Sequence, residues 1–296
     1  MNDNVRLSLH YAYRAILTGG FAYYIYRLSD AGRLELFIAP RMEPIVKLSA
    51  VGLSLIAVYF AFAAFWSLGG STLSACGCGH APKRSPARHF IAYSLFAAPL
   101  LLGAFVPDAV MGSDVVDRKG IVLDRGTGTA DRAASGERSP ESADSSAAES
   151  LFATEDLFDR QYSAFAESLY AQDPIVIEES SFLEASTAID LFMHAFQGKR
   201  IEIGGFVYKQ DGMTETQFVV ARLGMDCCSA DATPYGFLVE WPDANALSED
   251  TWVRVAGTIG TSPFGDATLV SIRAERVEPI AMPETPYVYP NYEVLE

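Results

Sequence analysis

The four cysteines of this 296-residue chain offer the most chemistry, and they fall in two clusters. One is Cys227-Cys228, where Asp226 and Asp231 set carboxylates beside the thiols. Adjacent thiols can close a strained disulfide, share a soft metal ion, or act separately with one of them packed in a core. The same stretch also reads as a plain loop, because its acids and Gly236 are ordinary turn residues. The other cluster is Cys76-Gly-Cys78-Gly-His80, three donors in five residues with glycines that let them converge. That set suits a thiophilic ion such as zinc, with His89 as a fourth ligand. Its spacing matches no well-defined zinc motif, and a small flexible loop with incidental cysteines is the alternative.

Catalysis has no comparable support. His194 lies among apolar residues of a helical pattern, a setting more often structural than catalytic. There is no Ser-His-Asp arrangement, phosphate loop or His-Glu-x-x-His signature. Thiol oxidoreductases rely on Cys-x-x-Cys at a helix start, which is absent. The expectation is therefore a binding protein and not an enzyme.

Charge divides the chain in two. Before Asp108 there are nine Lys and Arg against four acids; from Asp108 onward, 13 against 33. A basic apolar part joined to an acidic part is the pattern of a membrane protein with one large extramembrane domain. The acidic part argues against nucleic acid, whose phosphates need Lys and Arg.

The apolar part predicts a membrane domain over residues 1–112, with transmembrane helices over 7–28, 48–69 and 90–107. The second and third stretches are free of charge, and a spanning helix takes roughly 20 apolar residues. Pro99 kinks the third, which neighbouring helices tolerate. The first is weaker. Arg27 can snorkel near its end, while Arg14 sits about two turns in and reaches the interface or faces protein. A helix lying in the interface is the alternative there. Basic residues favour the N-terminus inside and the acidic domain on the extracytoplasmic side, by a slight margin. The two cysteine clusters then face opposite sides of the membrane and cannot share one site in a protomer. Cys76 and Cys78 are kept reduced inside, and Cys227 and Cys228 are free to oxidise outside.

Residues 113–150 read as a disordered acidic linker, since 124–150 holds no aromatic residue to bury. Residues 151–296 follow as the soluble domain. It opens with a helical pattern over 151–170, a short strand at 175–178 and a helix over 182–196, with Ser181 and Glu184 spaced as a capping box. Five strands are then predicted at 200–209, 217–223, 236–241, 251–258 and 267–277. Ile201-Glu-Ile-Gly-Gly-Phe-Val and Val253-Arg-Val-Ala-Gly-Thr-Ile share alternation followed by glycine, which lets a strand bend as a small barrel requires. The expected fold is a mainly β, OB-like barrel with one or two helices beneath a membrane α-helical region. A sandwich is the alternative, and the cationic groove of nucleic-acid-binding barrels is missing.

Several blocks together resemble the YcgQ-like family of bacterial membrane proteins. They are Met42-Glu-Pro-Ile-Val-Lys-Leu-Ser, Pro99-Leu-Leu-Leu-Gly-Ala-Phe-Val-Pro, Asp117-Arg-Lys-Gly, Gly204-Gly-Phe-Val-Tyr, Cys227-Cys228-Ser-Ala-Asp-Ala, Asp250-Thr-Trp-Val-Arg-Val-Ala-Gly and Pro286-Tyr-Val-Tyr-Pro. The resemblance covers nearly the whole chain except the linker. It implies an accessory subunit of a permease complex with a larger polytopic permease as partner, and a link to metal ions. Cys227, Cys228, Asp226 and Asp231 are the expected ligand or redox site. Cys76, Cys78 and His80 carry over weakly, because relatives show no fixed pattern in that loop. The alternative function is a membrane-tethered module that binds or senses a ligand or metal without transport.

Overall fold

The computed structural model describes residues 3–68, 86–106, 109–121, 123, 151–154, 156–210, 212–264 and 267–296. Cys76, Cys78, His80 and the stretch 124–150 lie outside the described residues. Contacts divide the chain into two compact units, 1–109 and 110–296.

The first unit is helical. Helix α1 (Asp3–Asp30) runs antiparallel to α2 (Glu43–Leu68), with the Ser8 hydroxyl donating to the Ala64 carbonyl at 2.9 Å. Helix α3 (Pro86–Phe105) runs parallel to α1, placing Tyr93 against His10 and Leu100 against Gly20. The sequence predicts three spans. Among the described helices one, Pro40–Leu68, is long and apolar enough to cross a membrane, and the apolar run Ile91–Phe105 in α3 is shorter. Helix α1 starts at Asp3, earlier than expected. Arg14 therefore lies about three turns inside the helix instead of two, at 3.6 residues per turn.

The second unit is built on a five-stranded barrel. Its strands are β2 (Arg200–Tyr208), β3 (Gln217–Gly224), β4 (Thr233–Glu240), β5 (Trp252–Phe264) and β6 (Ala267–Pro279). Strands β2, β3 and β4 pair antiparallel in succession; β4 pairs parallel with β6, β6 antiparallel with β5, and β5 antiparallel with β2, which closes the barrel. Closure leaves only short edges, at the start of β2 and the end of β3. Two short strands extend it: β1 (Ile175–Val176) beside β2 and β7 (Tyr287–Val288) beside β3.

The two glycine patterns mark where the sheet turns. Strand β2 pairs with β5 through Phe206 and with β3 from Phe206 onward, so it changes partner directly after Gly204-Gly205. A Cβ on Gly205 would lie 2.5 Å from the Ala221 carbonyl oxygen. In β5 the register shifts between Ala256 and Gly257, where a Cβ would lie 2.2 Å from the Arg273 carbonyl oxygen. Both are close backbone approaches that only glycine permits.

Helices α5 (Leu157–Tyr170) and α6 (Phe182–Leu191) complete the core with Phe152. Tyr162, Ala166 and Leu169 recur on the buried face of α5 at helical spacing. Asp156 caps its start by accepting from the Phe158 amide at 2.9 Å. The helix expected over 182–196 is broken. Phe192, at φ −111° and ψ 33°, separates α6 from α7 (Met193–Phe196) and sets its ring edge-on to Phe152. The Ser181–Glu184 capping box is also corrected. Ser181 makes no side-chain cap bond, because its backbone (φ −131°, ψ 19°) follows a tight turn at Glu179–Ser181 and not the extended form a cap needs. Glu184 turns inward and accepts from the Asn291 amide at 2.7 Å. Residues 113–119, assigned from the sequence to the linker, form helix α4 (Ser113–Lys119) within the barrel unit.

Candidate functional site

Strands β3 and β4 pair out to Gly224↔Thr233, so the loop Met225–Ala232 is the whole excursion between them. Both its ends are buried. Met225 and Ala232 have no exposed surface, and the Met225 amide donates to the Val288 carbonyl of β7 at 2.9 Å. Between them the chain wraps around one carboxylate. Asp231 Oδ1 accepts from the Asp226 amide at 3.0 Å, and Oδ2 accepts from the Cys227 amide at 2.7 Å and the Cys228 amide at 3.2 Å. The Asp231 amide returns to the Cys228 carbonyl at 3.0 Å. Three amides converging on one carboxylate form a small rigid nest, with both thiols on its rim.

The sulfurs of Cys227 and Cys228 lie 3.6 Å apart as free thiols, well beyond the roughly 2.05 Å of a disulfide. Ligand atoms of Cys227, Cys228 and Asp231 all fall within 4.8 Å of one another. Two thiolates on tetrahedral zinc, each at about 2.3 Å, stand roughly 3.8 Å apart, so little movement brings these donors into a metal's first shell. Two soft sulfurs and one oxygen leave a fourth position for a water or a donor from elsewhere. Asp226, the remaining expected site residue, contributes its amide to the nest; its carboxylate is not in the donor cluster.

Electrostatics set the resting state. Hydrogen bonding to the Asp231 carboxylate, and then to the Cys228 sulfur, pushes the Cys227 thiol up to about 12. Burial works against the charge on Asp231, but the Cys227 thiol and the three amides outweigh it and hold the carboxyl below the ordinary carboxylate range. At neutral pH the carboxylate is charged and Cys227 keeps its proton. A cation must displace that proton, which couples metal uptake to proton release. The same high value makes Cys227 a poor nucleophile.

Sequence reasoning missed what holds the loop from outside. Lys119 Nζ, from α4, donates to the Ala230 carbonyl at 2.8 Å and the Ala232 carbonyl at 2.7 Å. Helix α4 is itself fastened, since Ser113 donates through its amide and hydroxyl to the two oxygens of Asp250, each at 2.8 Å. Asp117 accepts from the Tyr208 hydroxyl at 3.1 Å, and the Met111 amide donates to the Tyr287 hydroxyl at 2.9 Å. Three of the blocks that carried the family resemblance thus meet at one loop, Asp117–Gly120, Cys227–Ala232 and Pro286–Pro290, and a fourth, the Asp250 block, fastens the helix that holds it. That shared membership was the one signal in the sequence that joined them.

A second polar feature lies at the barrel's end. Arg222 is 2 % exposed, with Nη1 donating to Glu179 at 3.1 Å, Nη2 donating to the Thr285 carbonyl at 3.2 Å, and the guanidinium carbon 5.0 Å from the centre of the Trp252 ring. Desolvation lowers its basicity, against the pull of Glu179. It ties the C-terminal tail to the turn before α6. His194 lies in α7, exposed and apart from the thiols.

Comparison with known proteins places these features in a family. The DUF1980 N-terminal domain matches residues 13–122 and the DUF1980 C-terminal domain matches residues 152–290. UPF0703 protein YcgQ of Bacillus subtilis (strain 168) is 26% identical over 299 aligned residues, covering 95% of this chain and 100% of the relative. A Streptococcus mutans protein is 25% identical over 218 residues, covering 71% of this chain and 77% of its own length. That protein is named, provisionally, as a subunit of a two-component membrane permease complex. With a relative aligned from end to end, and both domains of one family matched in order along its length, the chain belongs to the DUF1980 family.

Proposed function

We propose that this protein is an accessory subunit of a membrane permease complex. Helices α1, α2 and α3 form a multi-pass anchor in the cell membrane. The acidic barrel lies on the extracytoplasmic side, over the mouth of a larger polytopic permease subunit. The observation that carries this reading is the relative named as a permease complex subunit, aligned over 71% of the chain. The long apolar stretch Pro40–Leu68 supports the anchor. Within the barrel, Cys227, Cys228 and Asp231 take up a thiophilic cation such as zinc, and the loop presents it to the partner through its open fourth position. The protein itself catalyses no reaction.

A second reading, a membrane-tethered sensor without a transport role, is favoured by one feature. The donor cluster is complete within a single loop and needs no second chain to form. Co-purification in mild detergent separates the two. A polytopic subunit in stoichiometric amount supports the first, and a clean monomer supports the second. Zinc titration of the full chain tests the site they share. One zinc is expected per protein and none in Cys227→Ser/Cys228→Ser; an unchanged metal content in that variant ends the thiol-site idea.

A further inference from the structure

We propose that the groove between α1, α2 and α3 receives a transmembrane helix of the partner subunit, and that a carboxylate on that helix pairs with Arg14. This deepens, and rests on, the reading of the chain as a membrane permease subunit.

The observations come from one unit. A cavity of about 680 Å³ is lined by His10, Arg14 and Thr18 of α1, Phe60 of α2, and Tyr93 and Phe96 of α3. Tyr93 is hydrogen-bonded to His10, and the Thr18 hydroxyl donates back to the Arg14 carbonyl at 2.8 Å. The Arg14 guanidinium lies 5.6 Å from the centre of the Phe60 ring and makes no ion pair among the described residues. It is eleven residues from the start of α1 and sixteen from its end. At about 1.5 Å per residue that is roughly 16 Å and 24 Å from the two helix ends, and roughly 10 Å from Leu7, where the apolar run begins. That depth lies within a membrane core about 30 Å thick.

Nothing in this unit's sequence supplies the counter-charge. The acids before Asp108 are Asp3, Asp30, Glu35 and Glu43. Asp3 and Asp30 bound α1, Glu35 is in the turn between helices, and Glu43 begins α2. None shares the depth of Arg14. A charge at that depth is retained only when it is paired or faces water. Backbone entering from a neighbouring chain at that depth must be helical, because lipid satisfies no amide. The apolar wall of Phe60 and Phe96 offers such a helix packing, and Arg14 offers it one specific polar contact. A second copy of this chain does not fit, since it brings another Arg14 and no acid at matching depth.

The test uses the full chain in its native membranes with a photo-crosslinking phenylalanine analogue in place of Phe96. The expected adduct is a hydrophobic segment of a polytopic membrane protein with an Asp or Glu within one turn of the linked residue. Arg14→Glu should lower adduct yield at least tenfold and Arg14→Lys should keep it. Changing the partner's acid to Lys in the Arg14→Glu background should restore it. Adducts to lipid, to a second copy of this chain or to an acid-free segment overturn the proposal, as does the absence of any adduct. Co-purification measured on the same membranes separates two failures. If a polytopic subunit co-purifies while the adducts miss an acid, only this inference falls; if none co-purifies, the permease reading falls too.

Discussion

The helical unit and the barrel unit use the same apolar residue types in opposite ways. In the helices, Leu48, Phe65, Leu95 and Phe105 are 71%, 76%, 72% and 81% exposed, while the polar Ser8 and Ser67 are buried. In the barrel unit, Phe218, Val220, Val239, Val255 and Ile272 are fully buried, and the few buried charges, Arg222 and Glu184 among them, are held by hydrogen bonds. Burial of apolar surface stabilises a fold only where water is the alternative. The barrel follows that rule and the helices do not, which is the pattern expected of the membrane anchor proposed above. Each unit also holds one arginine in an awkward place, and the two are treated differently. Arg222 is walled in and answered by Glu179, the Thr285 carbonyl and the Trp252 ring. Arg14 has, among the described residues, the Phe60 ring and no ion pair. Arg222 is an internal clamp, although its buried Nε is left without a partner, whereas Arg14 has only a ring for company among the described residues.

That contrast breaks most readily at Arg222. Replacing it with Ala should destabilise the barrel by about 3 kcal/mol, from lost packing, two lost charge-assisted bonds and a released tail. Thermal unfolding of the full chain in detergent, followed by near-ultraviolet circular dichroism, reads this directly. A change of Tm within error at Arg222 would place the clamp elsewhere. Gly257→Ala comes next, at about 2 kcal/mol, because the new methyl meets the Arg273 carbonyl at a register shift the barrel needs to close. An unfolding curve superimposable on the parent's would mean that the strand bends without glycine.

The thiol nest gives a pH signature. With Cys227 pushed up to about 12, its alkylation by iodoacetamide should be slow at pH 7.5 and keep rising with pH past 10, since only the thiolate reacts. Asp231→Asn removes the charge that disfavours the thiolate, so the rise moves to lower pH. For every pH unit it moves, alkylation at pH 7.5 should become about tenfold faster. Equal rates in both proteins would show that Asp231 does not control the thiol. Asp231 works in the other direction for its own proton. Its lowered value favours the folded loop above the unfolded carboxylate range, and that contribution fades as pH falls through the folded value. Lys119→Met is the smallest change, about 1 kcal/mol, from two hydrogen bonds lost at an accessible site. It should loosen the loop without unfolding the barrel, seen as faster amide exchange at Cys227–Ala232 with the strand amides unchanged.

The fold was readable in the sequence where one face of an element repeats. Enrichment in β-branched and aromatic residues between turn residues located all five barrel strands, and alternation followed by Gly204-Gly205 and Gly257 marked the turning points. The ends were less legible. Strand β5 continues to Phe264 because its hairpin with β6 pairs as far as Phe264↔Ala267, a partnership with no local signature. Glu184 looked like a helix cap by spacing, yet it serves a tail residue 107 positions away. At the site, Cys227, Cys228 and Asp231 were identifiable from their types and nearness, and Asp226 stood out for the same reason although only its amide takes part.

Composition and periodicity by themselves determined the division into a helical part and an acidic barrel, and the choice of thiols as the chemistry worth following. Those properties are local: which residue types stand side by side, and which face of an element repels water. The tertiary structure alone decided that Lys119 holds the thiol loop from 111 and 113 residues away, that Asp250 fastens α4 from 137 residues away, and that Arg222 is clamped while Arg14 is not. A polar side chain takes whichever partner the folded backbone brings within about 3 Å, and no short-range pattern records which partner that will be.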